Sequence, residues 1–174
     1  MSDQEHVTDS ETLTFTCFAS AAPRTPQAYM AAAAELGTCL ARHDLRCCNG
    51  GGATGCMGAL NEAVKSAGGR SLGVIHKQWI GEEEASGLDK LIVVDGTDLS
   101  ERKRLLLEAA DALICLPGGV GTLDELFQAV AGVATGLSTL PVVLINTDGY
   151  YDGTLLQLRR AEEEGLLRVP YALT

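Results

Sequence analysis

Three short stretches carry residue types that could do chemistry together. The first is Pro117-Gly118-Gly119-Val120-Gly121-Thr122-Leu123-Asp124-Glu125, where an apolar run ends in a glycine turn and a carboxylate follows. The second is Asn49-Gly50-Gly51-Gly52-Ala53-Thr54-Gly55-Cys56-Met57-Gly58. The third is Ser100-Glu101-Arg102-Lys103-Arg104. Glycine lets main-chain N–H groups come close to an anion and take up backbone angles denied to other residues. A helix N-terminus adds unpaired N–H groups and about half a positive charge. Two such turns with a cationic cluster suit a phosphate, and Glu125 is placed to act on whatever carries it.

Each feature has a plainer explanation. The glycines could merely make tight turns. Thr122 and Glu125 have capping-box spacing, with Thr122 capping the helix and Glu125 reaching back to its N–H. The same spacing also aims Glu125 at the mouth of a phosphate site, and that setting favours a functional role. A carboxylate in a first helical turn has its charged form favoured by the dipole, so Glu125 is expected to stay ionised at neutral pH. That suits a base or a cation stabiliser better than a general acid. Arg102, Lys103 and Arg104 could form a solvated face. Cations at a helix start oppose the dipole, however, and in an acidic chain they can hold an anion. Neither glycine turn is a P-loop, since neither has Gly-Lys-Ser/Thr, and the first is only loosely like a dinucleotide fingerprint.

The elements that must position these residues alternate strictly. Strands are expected at 13–20, 45–48, 71–76, 90–96, 112–119 and 140–146, and helices at 25–43, 58–69, 98–111, 122–134 and 150–165. Pro26 falls in the first turn of the first helix. A polar loop holding Glu82, Glu83 and Glu84 precedes the fourth strand. Short strands that are apolar throughout are buried on both faces, which requires helices on both sides of a parallel sheet. The expected fold is therefore a Rossmann-like, doubly wound α/β domain over 13–174, with both glycine turns at strand carboxyl ends, where such sheets bind ligands. Residues 1–12 read as a disordered acidic tail.

The totals limit the partners. A chain of 174 residues is long enough for one domain with a real core, and its net charge of -10 disfavours nucleic acid and anionic membrane. No apolar run reaches the roughly 20 residues of a membrane helix, and the N-terminus has no signal-peptide order, so a cytoplasmic protein is expected. The six cysteines lack C-x-x-C pairing and read as reduced, mostly buried thiols. His6, His43 and His76 are isolated and read as structural or solvated.

Together these stretches resemble the "lonely guy" (LOG) family of cytokinin-activating phosphoribohydrolases, often labelled lysine decarboxylases. Pro117 to Glu125 matches that family's P-G-G-x-G-T-x-x-E. Gly50 to Gly58 matches its G-G-G-x-x-G-x-M-G, and Glu101-Arg102-Lys103 its E-R-K. The segments near Asn146 and Glu164 are similar to its closing segments, so the likeness runs from about residue 13 to 168. It implies hydrolysis of the N-glycosidic bond of a nucleoside 5′-monophosphate, either a cytokinin riboside 5′-monophosphate or AMP, to free base and ribose 5-phosphate. It implies Glu125 and Arg102 as the catalytic pair. Gly118, Gly119, Gly121 and Thr122 would bind the phosphate, helped by Gly51, Gly52, Ser20 and Lys103. It also implies a homodimer whose subunits both shape each site, and no metal or other cofactor. Three stretches depart from the family pattern: Leu99-Ser100, the turn after the first strand, and the helix after Glu125. All lie near where a base would sit.

Two other activities meet the same residues. A decarboxylase would need a pyridoxal phosphate Schiff-base lysine, drawn from Lys65, Lys77, Lys90 and Lys103. A non-catalytic nucleotide or pterin-cofactor (molybdenum cofactor) carrier would need the glycine turns but not Glu125.

Overall fold

A computed structural model describes residues 12–81 and 85–167. The expected acidic tail up to residue 11 and the glutamates at 82–84 lie outside the described residues. The order of elements is β1 (Thr14–Phe18), α1 (Gln27–Arg42), β2 (Arg46–Asn49), α2 (Gly55–Ser66), β3 (Arg70–His76), β4 (Lys90–Val94), α3 (Ser100–Glu108), β5 (Ala112–Cys115), α4 (Val120–Ala134), β6 (Val142–Leu144) and α5 (Asp152–Glu163). Single 3₁₀ turns lie at Lys77–Trp79 and Thr147–Gly149.

The strands form one six-stranded sheet, ordered β4-β3-β2-β1-β5-β6, and every pairing is parallel. The chain runs outward from β1 to β4 and then returns to place β5 on β1's other side. Connections therefore diverge at the carboxyl ends of β1 and β5, which is where a doubly wound sheet opens a ligand crevice. The Ser20 N–H donates to the Pro117 carbonyl across that point at 3.1 Å, tying the two loops together.

Burial on both faces follows from the strand sequences. Cys17, Cys47 and Ile114 pack on one side of the sheet with Leu40, Met57, Leu60 and Val64 from α1 and α2. Their neighbours Phe18, Cys48 and Cys115 pack on the other side with Leu106, Leu126 and Tyr151. Alternate side chains of one strand point to opposite faces, so a strand that is apolar throughout feeds both layers. The edge strands relax this rule: Val93 on β4 is 52% exposed. In α1 the alanine run gives a strong helix former, and Pro26 stands just before the first turn rather than within it. Gly37 lets α2 approach closely, since a Cβ there would lie 2.6 Å from the Leu60 carbonyl oxygen.

Five of the cysteines are buried, Cys39 is exposed, and none is in a disulfide. Burial pushes the Cys48 and Cys115 thiols up to about 12, so they serve as small apolar side chains. Among the described residues no helix is long and apolar enough to cross a membrane, and no cluster of His, Cys, Asp or Glu could hold a metal ion.

Candidate active site

The crevice at the β1/β5 divide is a cleft of about 360 Å³. Its lining includes Ser20, Gly119, Gly121 and Thr122, the apolar Met57, Trp79 and Leu99, and Arg102 with Glu125. A smaller hollow of about 120 Å³ adjoins it, reached past Gly50, Gly52 and Trp79. Two larger hollows, of about 420 and 570 Å³, lie on helix exteriors away from the glycine turns.

The helix after the second glycine turn begins earlier than its sequence suggests. Gly119 is the N-cap of α4, which makes Thr122 its third residue and puts Glu125 in the second turn. The capping box therefore does not form. The Leu123 N–H donates to the Gly119 carbonyl, while Glu125 turns toward α3. The first amides of a helix have no intrahelical acceptor. On α4 these belong to Val120, Gly121 and Thr122, beside the cleft. Gly119 and Gly121 have open space where a Cβ would be, so their backbone is approachable from the cleft. Gly118 lies behind them, where a Cβ would meet the Thr122 hydroxyl at 2.1 Å.

Arg102 and Glu125 form a buried ion pair. Arg102 Nη1 donates to Glu125 Oε1 at 2.9 Å, and each side chain is 10% exposed. Arg102 Nε donates to the Val74 carbonyl at 3.0 Å, and the guanidinium lies 5.6 Å from the Trp79 ring centroid. The adjacent backbone is Gly50, where a Cβ would stand 2.1 Å from Arg102 Nη2. Thus Gly50 is glycine because the arginine occupies its side-chain space.

The expected direction of the Glu125 pKa is reversed. Burial raises it, and the positive charge and hydrogen bond of Arg102 only partly oppose that rise. The dipole argument fails because Glu125 sits a turn further into α4, beyond the dipole's short reach, in a setting that penalises its charge.

The remaining predicted residues divide. Lys103 lines the cleft, with its ammonium 2.8 Å from Asp124. Arg104 does belong to a solvated face, pairing with Glu101 at 2.7 Å and with Glu108. Ser20 lines the cleft, but its hydroxyl already bonds Thr25 at 2.8 Å and accepts from the Ala22 N–H at 3.1 Å. The first glycine turn corrects the expectation of a second amide cradle. Gly51 N–H donates to Asn49 Oδ1 at 2.8 Å and Gly52 N–H to the Met57 sulfur at 2.9 Å. These two amides are spent within the protein, and the turn serves as the wall beside Arg102.

Four residues that shape the site were given no role by the sequence reading. Trp79 and Met57 give the cleft apolar lining, although β3 gives no sign that its following turn folds back there. Tyr150 and Tyr151 fix the loop before α4: Tyr150 donates to the Gly118 carbonyl, and buried Tyr151 donates to the Leu116 carbonyl at 2.7 Å. The adjacent tyrosines were the available signal, since buried hydroxyls seek partners.

Fold and site together define a doubly wound α/β protein with an open helix N-terminus and a buried Arg–Glu pair at its sheet switch point. Residues 57–172 match the family model described as "possible lysine decarboxylase". The chain is 39% identical over 80% of its length to probable cytokinin riboside 5′-monophosphate phosphoribohydrolase LOGL2 of Oryza sativa subsp. japonica. It is 38% identical over 87% of its length to the cytokinin riboside 5′-monophosphate phosphoribohydrolase of Rhodococcoides fascians. The chain thus belongs to the LOG family. It spans 57% of the rice protein's length and 77% of the bacterial protein's. The molybdenum cofactor carrier protein of Chlamydomonas reinhardtii has the same fold, with TM-score 0.68, 23% identity and 86% of each chain covered.

Proposed function

We propose that this protein hydrolyses the N-glycosidic bond of a nucleoside 5′-monophosphate, releasing free base and ribose 5-phosphate. The substrate is a cytokinin riboside 5′-monophosphate or AMP. The observation that carries this reading is the buried Arg102–Glu125 pair, 2.9 Å apart, in the floor of a cleft that opens onto the amides of α4. A cleft of about 360 Å³ is within the usual size range of small-molecule sites.

The phosphate docks on the α4 N-terminus at Gly119, Gly121 and Thr122, with Lys103 close by, and so fixes the sugar over Glu125. Bond cleavage gathers positive charge on the ribose ring, as in glycoside hydrolysis. The electron pair of the breaking bond leaves with the base, whose nitrogen takes up a proton from solvent water, and water attacks the sugar carbon. Glu125 faces that carbon, stabilises the charge and accepts the proton of the attacking water. Its raised pKa improves the match to neutral pH. Arg102 is too basic to release a proton, so its part is electrostatic. It keeps Glu125 oriented and largely ionised while its outer edge faces the departing base.

The family-model description suggests a lysine decarboxylase, but the lysines do not fit a Schiff-base site. Lys65, Lys77 and Lys90 do not line the cleft, and the ammonium of Lys103 is engaged by Asp124. The same reading takes the protein as a cytoplasmic homodimer with sites shaped by both subunits. In support, Val120 is 85% exposed beside the cleft, an apolar side chain suited to cover by a second copy. Incubation with a panel of 5′-monophosphates, followed by chromatography, tests the reaction. Free base with equimolar ribose 5-phosphate supports it. A nucleotide that stays bound and intact contradicts it and favours a carrier.

A further inference from the structure

Trp79 is the only tryptophan in the chain, and the proposed reaction gives it no part. It closes the 3₁₀ turn that leaves the end of β3 and folds back over the cleft. Its ring carries the Arg102 guanidinium at 5.6 Å on one side and meets the His76 ring edge-to-face at 5.9 Å. His76 is buried, and its Nδ1 accepts the Gln78 N–H at 3.3 Å, capping the same turn. An acceptor Nδ1 makes Nε2 the protonated nitrogen, and Nε2 is the buried side-chain atom left without a hydrogen-bond partner among the described residues. Burying an imidazole with one unsatisfied nitrogen is costly, and the arrangement spends that cost on fixing the turn and the ring it carries.

Arg102 needs such a restraint. Its Nε is held by the Val74 carbonyl and its Nη1 by Glu125, while Nη2 abuts Gly50. Those contacts lie in or near the guanidinium plane. Hydrogen bonds in that plane resist rotation out of it weakly, and the Trp79 ring, over which the guanidinium lies, opposes such rotation. The negative face of an indole attracts a cation and does so without competing for its N–H groups.

We infer that Trp79 is a positioning residue: its ring, fixed by the His76-capped turn, holds the Arg102 guanidinium against Glu125 in the orientation that turnover requires. The kinetic part of this inference rests on the proposed hydrolase activity, whereas the spectroscopic part does not. Trp79→Leu lowers kcat by about tenfold and leaves KM within about threefold, because the cation loses its ring while the phosphate end is untouched. Trp79→Phe restores most of kcat, since it restores an aromatic face. Unchanged kcat in folded Trp79→Leu overturns the inference, as does a Trp79→Phe variant as slow as Trp79→Leu. The second arm keeps the tryptophan and changes its partner. Arg102→Met shifts the intrinsic emission maximum of the ligand-free protein, and an unchanged spectrum overturns the inference. That arm decides the matter if Trp79→Leu does not fold. It also stands if the parent protein releases no base from any nucleotide, in which case the hydrolase reading falls and the ring–cation contact is judged alone.

Discussion

Arg102 on α3 and Glu125 on α4 face each other at 2.9 Å beneath the cleft, each 10% exposed. Neither helix accounts for its own residue. An arginine in the first turn of α3 opposes that helix's dipole, and a buried glutamate on α4 pays desolvation. Each makes sense only through the other. A buried pair of this kind is weak grounds for stability, because desolvation offsets the attraction. It is better explained by what the pair does to a ligand.

The pair predicts a pH dependence with a definite sign. Glu125 must be deprotonated to accept a proton, and burial raises its pKa. Activity therefore falls, as pH drops, at a pH above the ordinary carboxylate range. Arg102 lowers that pKa, so Arg102→Met should move the acid limb of kcat/KM to still higher pH as well as slowing turnover. For folding, between the unfolded pKa and the raised folded one, the native state still holds a proton that the unfolded chain has released. The contribution of Glu125 to stability is thus largest below its unfolded pKa and declines as pH rises through the raised folded value. Denaturant titrations across that window should lose this slope in Glu125→Gln.

Two glycines should respond differently to alanine. In Gly50→Ala the new Cβ would sit 2.1 Å from Arg102 Nη2 and push the guanidinium off Glu125. kcat should fall about tenfold or more while nucleotide affinity changes little. Gly119 has open space at the same position, and its φ of -85° is one alanine accepts. Gly119→Ala should leave Tm unchanged and raise KM by about tenfold, because the methyl blocks the approach of phosphate to the α4 amides. Steady-state kinetics with a thermal melt separates the two outcomes.

Tyr151→Phe tests the loop rather than the chemistry. The hydroxyl is buried and donates to the Leu116 carbonyl at 2.7 Å. Removing it leaves a buried carbonyl short of a donor and should cost about 1–3 kcal/mol in a urea titration.

Lys103 should discriminate by charge. Lys103→Ala removes a cation beside the phosphate end and should weaken 5′-monophosphates while leaving the matching nucleosides alike. The difference should shrink as salt is added. Isothermal titration of both ligand classes at two salt concentrations measures it.

Much of this was legible in the sequence because two periodicities agreed. Runs such as Ala112–Cys115 are apolar at every position, which only a doubly covered parallel strand tolerates, and all four residues are buried. Arg102 was legible as a candidate because a cation at a helix start opposes the dipole, and Glu125 because it follows a glycine turn at a strand's carboxyl end. What stayed hidden depended on distant contacts. The helix start at Gly119 rather than Thr122 is set by the loop that Tyr150 and Tyr151 hold, and their partners lie more than thirty residues away. The loss of the first turn's amides depends on where Asn49 and Met57 point. Trp79 reaches the cleft only because a 3₁₀ turn reverses after β3.

The central claim is that Glu125 acts on a sugar held elsewhere by its phosphate, and it is tested most directly by measuring binding and turnover of one 5′-monophosphate on parent protein and Glu125→Gln. The account predicts a Kd within about threefold of the parent's and a turnover lowered about a hundredfold or more. Turnover near the parent rate with Glu125 replaced would contradict it.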